Sequence, residues 1–243
     1  MNKQLSFQDF EALASQPGLQ AYERVGFKAV HRKKTEKNIF PDLLQKIPAL
    51  NQKNKNILEI GCGCSLPARS LIAHCKKKKH RLVLVDSAGM LARLPDHGFL
   101  KKAPHQFPQE PKFLKDHHKK FDVIIIYGVV HAIYEHQNVF TFLDRAVSLL
   151  KEGGSLLVGD LANLSKKRRF LSSPAGRQFH KRWAKGQKAP PIRWLETYED
   201  FDDSVIFQLL LRYRLMGLET YLLPQAEGLP LNQTREDLLI VRR

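Results

Sequence analysis

The sequence has few cysteines and no long apolar run, and each shortage excludes a class of protein. Three cysteines among 243 residues provide no disulfide framework. The longest apolar stretch, residues 123–133, is interrupted and too short to span a bilayer. Residues 1–15 contain acids and no long apolar core, so a secretory signal is not expected. We therefore expect a cytoplasmic protein without a membrane span.

Acidic residues are also scarce relative to basic ones. The chain has 24 Asp and Glu against 40 Lys and Arg, which gives a formal net charge of +16. Such a surface attracts polyanions or acidic small molecules, although a basic proteome would produce the same surface without an anionic partner. The basic residues are concentrated in two runs, at 75–81 and 165–170.

Two regions of the chain differ in pattern. Residues 1–50 have helical patterns, and we expect an N-terminal helical cap or lid there. Residues 51–243 alternate short apolar strands with helices, which is typical of a parallel sheet covered on both faces. An insertion around 163–197 follows the fifth strand on the expected substrate side. The last two strands, at 218–224 and 236–242, are expected to pair antiparallel.

The segment NILEIGCGCS, residues 56–65, is a strand that ends in a glycine turn. Ligands of a parallel sheet bind at the carboxyl ends of its strands, and Gly61 and Gly63 let the backbone approach a ligand without Cβ atoms in the way. Asp86 closes the next strand, where a carboxylate can accept hydrogen bonds from both hydroxyls of a ribose. These features predict a cofactor that contains adenosine.

A third glycine is missing from this turn, and an acid stands inside the strand. The nicotinamide-binding pattern G-x-G-x-x-G requires glycine where the chain has Leu66. Glu59 would repel a pyrophosphate but suits a cofactor with a sulfonium and an ammonium group. In the alternative pattern E/D-x-G-x-G-x-G, Ser65 replaces the last glycine and is small enough for the turn.

These motifs resemble those of class I S-adenosylmethionine-dependent methyltransferases over roughly residues 50–161. VDSAGML resembles the end of their second strand, FDVIIIYGVVHAI their fourth strand and the loop after it, and AVSLLKEGGSLLVGD their helix, Gly-Gly turn and fifth strand. The resemblance implies a Rossmann-like, doubly wound α/β fold with a seven-stranded, mostly parallel sheet, and S-adenosyl-L-methionine as cofactor. The residues that it assigns to cofactor binding are Glu59, Gly61, Cys62, Gly63, Asp86, Ser87, Met90, Gln106, Phe107 and Tyr127.

The third strand departs from the family. The segment APHQFPQEPKF, residues 103–113, is short and rich in proline, whereas the family usually has an acid there that faces the adenine amino group. Gln106 with Phe107 is one replacement, an amide beside an apolar wall, and Glu110 is the rival candidate.

Two residues beside the end of the fourth strand are candidates for catalysis. Methyl transfer is an in-line displacement at a sulfonium carbon, and positioning of the reactants supplies much of the acceleration. A hydroxyl or amide acceptor also needs a general base, for which His131 is the candidate, with Tyr127 beside it. The alternatives are that His131 only packs against the cofactor and that Tyr127 contacts its methionine end.

Basic residues on both sides of the expected acceptor entrance predict a small anionic substrate. His31 and Arg32 lie in the N-terminal cap, and Arg168 and Arg169 lie in the insertion, where they could hold carboxylate or phosphate groups. An exposed basic helix is the alternative for the second pair. Both segments also resemble methyltransferases of bacterial surface-sugar pathways, which implies an activated sugar or a nonulosonic acid of surface polysaccharide biosynthesis as acceptor.

Two other functions fit the composition. The charge favours an RNA methyltransferase, but the chain has no Asn-Pro-Pro-Tyr-type motif for a flipped base and no separate RNA-binding module, so nucleic acid is the less expected partner. A non-catalytic cofactor- or nucleic-acid-binding protein is the second alternative, and the intact cofactor motif argues against it. Cys62 and Cys64 lack a partner cluster, so no metal is predicted.

Overall fold

The protein is built on a seven-stranded sheet, described in a computed structural model for residues 5–183 and 201–243. The strands run in the order β3-β2-β1-β4-β5-β7-β6. The first five in this order are parallel to their neighbours, and β7 pairs antiparallel with both β5 and β6. The strands are β1 Asn56–Ile60, β2 Arg81–Asp86, β3 Leu100–Pro104, β4 Phe121–Tyr127, β5 Leu150–Ala162, β6 Glu219–Pro224 and β7 Arg235–Val241. The predicted Rossmann-like α/β fold and its final antiparallel pairing are confirmed.

Helices flank this sheet and fill the N-terminal cap. Among the described residues they are α1 Phe7–Ser15, α2 Ala21–Arg24, α3 Ala29–Arg32, α4 Ile39–Lys46, α5 Leu66–Lys78, α6 Ala88–Leu91, α7 Pro111–Asp116, α8 Val130–His136, α9 Val139–Ser148, α10 Leu164–Ser172, α11 Pro174–Trp183 and α12 Asp203–Leu215. Within those residues, none of the helices is long and apolar enough to cross a membrane.

The central strands are apolar on both sides because helices cover both faces of the sheet. In β4, Ile124 and Ile126 belong to one core cluster, while Val123 and Ile125 belong to the cluster on the opposite face. Successive strand side chains point to opposite faces, so an uninterrupted apolar run satisfies both layers.

The N-terminal cap begins with the helix that its sequence predicts. Ser6 is the N-cap of α1: its hydroxyl accepts a hydrogen bond from the backbone N–H of Asp9 at 3.2 Å, and the Asp9 carboxylate accepts one from the backbone N–H of Ser6 at 2.8 Å. This reciprocal pair satisfies donors that a helix start otherwise leaves unpaired. Ile39 and Leu43 of α4 are buried in the same cluster as β1 and β4 residues, so the cap packs directly on the sheet.

Two details differ from the sequence expectation. Strand β3 lies mostly upstream of the proline-rich segment and ends at Pro104. Glu110 is the N-cap of α7, where its exposed carboxylate accepts a hydrogen bond from the backbone N–H of Lys112. Residues 184–197 of the predicted insertion lie outside the described part of the chain, and the domain division at residue 50 stays a prediction.

Candidate active site

A deep cleft opens at the carboxyl edge of the parallel strands, where a ligand site is expected in this type of sheet. It encloses about 1060 Å³ of space that is partly open to solvent, a size suited to a small-molecule ligand. Its lining includes ten of the residues predicted from the sequence, namely Arg32, Glu59, Gly61, Cys62, Gly63, Asp86, Met90, Gln106, Phe107 and Tyr127.

The turn after β1 requires its two glycines for steric reasons. Gly61 and Gly63 both have positive φ, at +70° and +59°. A Cβ atom on Gly61 would lie 2.5 Å from Cγ2 of Val129, and one on Gly63 would collide with Val25. Ser65 has an extended backbone with φ of −87°, which any residue adopts. The missing third glycine therefore places no strain on the turn.

Glu59 is a buried acid without a close partner. Glu59 is only 4% exposed, and its Oε2 forms no hydrogen bond with any described residue. Burial, with a smaller contribution from the negative charge of Asp86, raises the pKa of Glu59 to about 8. An unpaired buried carboxyl group is costly unless a ligand supplies the missing donor.

Asp86 connects the glycine turn to the end of β2. Its Oδ2 accepts a hydrogen bond from the backbone N–H of Gly63, and its Oδ1 accepts one from the backbone N–H of Ser87, both at 2.7 Å. Burial raises the pKa of Asp86 to about 6, and these two hydrogen bonds oppose that rise. Each oxygen keeps a second lone pair, so the carboxylate can still accept bonds from a diol.

Ser87 supports a residue of the cleft lining but does not line the cleft itself. It is 1% exposed, and its hydroxyl caps α6 by accepting a hydrogen bond from the backbone N–H of Met90 at 3.3 Å. It does not line the cleft, whereas Met90 does. Ser87 therefore acts on the cleft through the placement of Met90.

The end of the cleft beside β3 combines apolar and polar groups. Phe107 is buried and packs edge-on against Phe142, with ring centroids 5.2 Å apart. Gln106 lies beside it in the lining, and so does His105, whose two ring nitrogens are buried without hydrogen-bond partners among the described residues. Glu110, the rival candidate in the sequence, is not part of the lining. His105 was missed because a histidine next to the predicted amide carries no motif of its own.

The N-terminal residues cover the cleft with aromatic and aliphatic side chains. Leu5, Phe7 and Phe10 line it from around α1, and Val25 and Phe27 line it from the segment after α2. The sequence predicted a lid in this region but did not identify these residues, since single aromatic residues on an amphipathic helix look the same whether they face a core or a ligand.

Arg32 extends from the lid towards the end of β5. Its guanidinium lies over the ring of Phe27, 3.7 Å from the ring centroid. Its nitrogens lie 3.4 Å from Oδ2 of Asp160 and 3.7 Å from Oε1 of Glu36, and Nε forms no hydrogen bond within the described residues. Arg32 is 4% exposed yet lines the cleft, so it presents a buried positive charge to a ligand.

His131 lies beside the cleft and faces a second arginine. Residues Val129, Ala132 and Ile133 line the cleft, whereas His131 does not. Burial, followed by the charges of Arg235 and Arg32, lowers the pKa of His131 to about 3. Its imidazole is therefore neutral at pH 7. This is a weaker base than the sequence prediction assumed.

Arg235 completes the basic cluster and was missed by the sequence analysis. It lowers the pKa of His31, after burial and Lys28, as well as that of His131. Its Nε lies 3.7 Å from Oδ1 of Asp160. We name His31, Arg32, His131 and Arg235 the acceptor-side cluster.

The tyrosine of the predicted catalytic pair does face the cleft. Tyr127 lines it at the end of β4, and its buried hydroxyl has no well-aligned hydrogen-bond partner in the described structure. Burial, and then the negative charges of Asp160 and Asp237, raise the pKa of Tyr127. A hydroxyl that stays protonated can donate one hydrogen bond to a ligand but is not a base.

The predicted arginines of the insertion do not join the cleft. Arg169 of α10 forms an ion pair with Asp203, the first residue of α12, and neither Arg168 nor Arg169 is part of the lining. Arg169 is half exposed and links two helices. The alternative that this stretch is a basic surface helix therefore fits the described structure better.

The described part of the chain contains no group of three or more His, Cys, Asp or Glu side chains placed to hold a metal ion. The three cysteines are buried and free. Burial raises the pKa of Cys62 and Cys64, so both remain thiols at neutral pH and are poor nucleophiles.

Comparisons with known proteins identify the type of domain and the fold. Residues 58–156 match the model of a family described as a methyltransferase domain. Among curated proteins, no sequence match was found. The matched residues contain most of β1, all of β2 to β4, the glycine turn and the first half of β5.

Solved structures share the fold at low sequence identity. N-methyltransferase NodS from Bradyrhizobium japonicum WM9, in complex with S-adenosyl-L-homocysteine, is 18% identical with a TM-score of 0.55, and the match covers 96% of this chain and 95% of that one. A putative S-adenosylmethionine-dependent methyltransferase from Methanococcus maripaludis is 14% identical with a TM-score of 0.54, covering 100% and 96%. The plantazolicin methyltransferase BpumL, bound to a triazolic desmethylPZN analog and S-adenosylhomocysteine, is 14% identical with a TM-score of 0.54, covering 98% of each chain.

These findings confirm two predictions. The chain has the Rossmann-like fold of class I methyltransferases, and the predicted enzyme class, a methyltransferase, is confirmed by the domain model.

Proposed function

We propose that this methyltransferase binds S-adenosylmethionine in the cleft and transfers its methyl group to a small anionic acceptor. The observation that carries the proposal is that one cleft is lined by a buried acid and a buried guanidinium, each with an atom that lacks a partner. Oε2 of Glu59 and Nε of Arg32 form no hydrogen bond among the described residues. A cationic cofactor and an anionic acceptor would satisfy both.

The residues of the cleft fit the cofactor group by group. Glu59 has a free oxygen for the ammonium group, directly or through water, and Asp86 has lone pairs for the ribose hydroxyls. Phe107 and Gln106 provide an apolar wall and an amide for the adenine. S-Adenosylhomocysteine, the demethylated form of this cofactor, is bound in the NodS and BpumL complexes.

When bound, S-adenosylmethionine supplies an electrophilic methyl group. The protein's part is to align the acceptor atom with that group and to exclude water, which accounts for much of the acceleration in such displacements. Tyr127 can donate a hydrogen bond near the end of β4. Arg32 and Arg235 hold the acceptor through its negative charge.

His131 becomes a better base when an anion is present. The positive charges of Arg235 and Arg32 contribute to its low pKa, and an acceptor that neutralises them would raise the pKa towards the working pH. The imidazole could then remove a proton from a hydroxyl or amide acceptor. Proton removal is in this way coupled to binding of the charged acceptor.

The positive charge of the acceptor-side cluster, and not the fold, indicates the chemical class of the acceptor. NodS is an N-methyltransferase, CurJ is a carbon methyltransferase and BpumL is a plantazolicin methyltransferase, so this fold serves unrelated acceptors. An activated sugar or nonulosonic acid of surface polysaccharide biosynthesis provides the carboxylate or phosphate that the acceptor-side cluster suits. The location that we propose for the protein is the cytoplasm, where such precursors are assembled.

Two measurements test the proposal. Isothermal titration calorimetry should detect S-adenosylhomocysteine binding, and absence of binding would remove the cofactor assignment. Methyl transfer from radiolabelled S-adenosylmethionine should then be measured with sialic acid and nucleotide sugars, each beside a neutral counterpart such as the sialic acid methyl ester. Preference for the neutral counterparts would contradict an anionic acceptor.

A further inference from the structure

Asp160 stands at the end of β5 in an unusual backbone conformation. Its φ is +59°, in the left-handed region that side chains other than glycine rarely adopt. Its backbone N–H donates a hydrogen bond to Oδ1 of Asp237 at 2.8 Å, which holds this conformation in place. The residue is 2% exposed. Strain of this kind persists where the surrounding structure requires a side chain in one direction.

The Asp160 carboxylate lies between two arginines and forms a long ion pair with each. Oδ2 is 3.4 Å from Nη2 of Arg32, and Oδ1 is 3.7 Å from Nε of Arg235. Close ion pairs of this type have distances of about 2.7–2.9 Å. Oδ1 of Asp160 and Nε of Arg32 also lack hydrogen-bond partners among the residues described. Nε of Arg32 therefore keeps a donor for another anion, and Arg235 is held to Asp160 only by this long ion pair and by a hydrogen bond from Nη1 to the backbone carbonyl of Asp160 at 3.3 Å.

The cleft reaches Arg32 over a bare stretch of backbone, and Asp160 and Arg235 lie next to Arg32 outside the lining. Gly128 lines the cleft directly after β4, with φ of +72°. A Cβ atom there would lie 3.3 Å from Oδ2 of Asp160 and 3.6 Å from Nη2 of Arg32. Because Gly128 has no side chain, a ligand group can approach the Arg32 guanidinium from the cleft.

We infer that Arg32 and Arg235 form a two-guanidinium site for a carboxylate or phosphate group of the acceptor, and that Asp160 is the positioning residue that sets their spacing. The inference rests on the proposed function and adds to it the positioning role of Asp160 and the joint binding of one anionic group by both guanidinium groups. Two guanidinium groups aimed at one anion can bind it through several charge-assisted hydrogen bonds.

Substitution of Asp160 should change anion affinity in one direction if the residue positions the arginines and in the other direction if it acts only through its charge. Asp160→Asn removes a negative charge beside the site, which by Coulomb attraction alone would strengthen anion binding. If Asp160 sets the geometry of the arginines, the same substitution weakens anion binding. Asparagine tolerates the left-handed conformation, so this variant should fold.

The experiment measures inorganic phosphate binding by calorimetry on the full chain, with and without saturating S-adenosylhomocysteine. We expect phosphate to bind the wild type. Arg32→Gln and Arg235→Gln should each weaken binding by about tenfold, equivalent to about 1.4 kcal/mol, and Asp160→Asn should weaken it several-fold. Lys101→Gln, on the exposed surface of β3, loses the same charge far from the cleft and is the matched control.

The outcomes are distinguishable from those of the proposed function. Absence of phosphate binding to the wild type, or equal weakening by Lys101→Gln, would overturn the site. Unchanged or stronger binding in Asp160→Asn would overturn the positioning role. S-Adenosylhomocysteine affinity should stay unchanged in all four variants. If the wild type did not bind S-adenosylhomocysteine, that result would instead count against the cofactor proposal.

Discussion

At the scale of single residues, Glu59 couples stability to ligand binding. Its pKa is about 8 in the folded chain against an ordinary value of 4.5. Between these values the folded state keeps the proton that the unfolded state has released. The free energy of unfolding therefore falls as the pH rises from 4.5 to about 8. A buried acid that weakens the fold at neutral pH is consistent with a role in binding a cation.

Glu59→Gln should stabilise the protein and weaken cofactor binding. Glutamine stays neutral, so the variant loses the decline in stability between pH 4.5 and 8, and urea unfolding at pH 8.5 should show it to be more stable than the wild type. Its affinity for S-adenosylhomocysteine should fall by at least about tenfold, since a charge-assisted bond contributes about 1.5–3 kcal/mol.

Two controls accompany the Glu59 measurement. At about pH 3.5 the two proteins should have similar stability, because Glu59 is then almost fully protonated in both the folded and the unfolded wild type. Wild-type affinity should increase from pH 6 to 8, because the ammonium group needs the ionised carboxylate. A pH-independent affinity would exclude Glu59 from ammonium binding.

Asp86 has one role in the turn and another towards the ligand, and two substitutions separate them. Asp86→Ala removes the acceptor for the Gly63 N–H as well as the ribose bonds, and we expect a loss of about 2–4 kcal/mol in S-adenosylhomocysteine affinity. Asp86→Asn retains one acceptor oxygen and should lose less. Calorimetry on both variants checks the order, and an unchanged affinity in the alanine variant would contradict the site.

At the scale of elements, the lid helix α1 depends on arginines from outside it. Nη1 of Arg24 donates hydrogen bonds to the carbonyl oxygens of Leu13, Ala14 and Gln16, at 3.2, 2.7 and 2.6 Å. Nε of Arg93 also donates a hydrogen bond to the carbonyl oxygen of Ala14. Carbonyls at a helix end lack partners within the helix. A buried guanidinium is placed to satisfy several of them at once.

Arg24→Ala should loosen the lid over the cleft. The carbonyls at the end of α1 lose a charged donor, so amide hydrogens of residues 7–16 should exchange faster, while those of β4 stay unchanged. S-Adenosylhomocysteine affinity should fall several-fold, since Phe7 and Phe10 line the cleft. Arg145→Ala on the exposed side of α9 is the control. Equal exchange in both variants would mean that Arg24 does not hold α1.

At the scale of the whole molecule, the net charge of +16 is spread over much more than the cleft. The lysine run of α5, residues 76–78, lies at the helix end opposite the glycine turn. Positive charge outside the site attracts any polyanion without selecting it. The charge therefore raises encounter rates but does not decide between a small acceptor and RNA.

RNA should bind weakly and should not be methylated. We expect gel-shift affinity for RNA to fall steeply with salt, because phosphate contacts dominate non-specific binding. Labelled methyl groups from S-adenosylmethionine should appear in the small-molecule fraction of a cell extract and not in its RNA. Incorporation into RNA would favour the alternative function and remove the argument for a small acceptor.

The sequence by itself determined the sheet core and the cofactor turn. Strand β4 is apolar because both of its faces are covered, and glycine is favoured at positions 61 and 63 because both have a positive φ that side chains rarely adopt. Both requirements are local, so they appear as patterns within a few residues. The same reasoning located Glu59 and Asp86, since each stands at a fixed offset from a strand end.

Only the tertiary structure decided which charges meet on the acceptor side. Antiparallel pairing of β5 with β7 sets Ala162 opposite Arg235, which brings that arginine to Asp160, while packing of the cap brings Arg32 to the same carboxylate. Arg169, an equally basic residue in the sequence, is drawn instead to Asp203. The sequence shows the charge of each side chain, but the partner of that charge depends on strand register and on packing between distant segments, which a local sequence pattern does not predict.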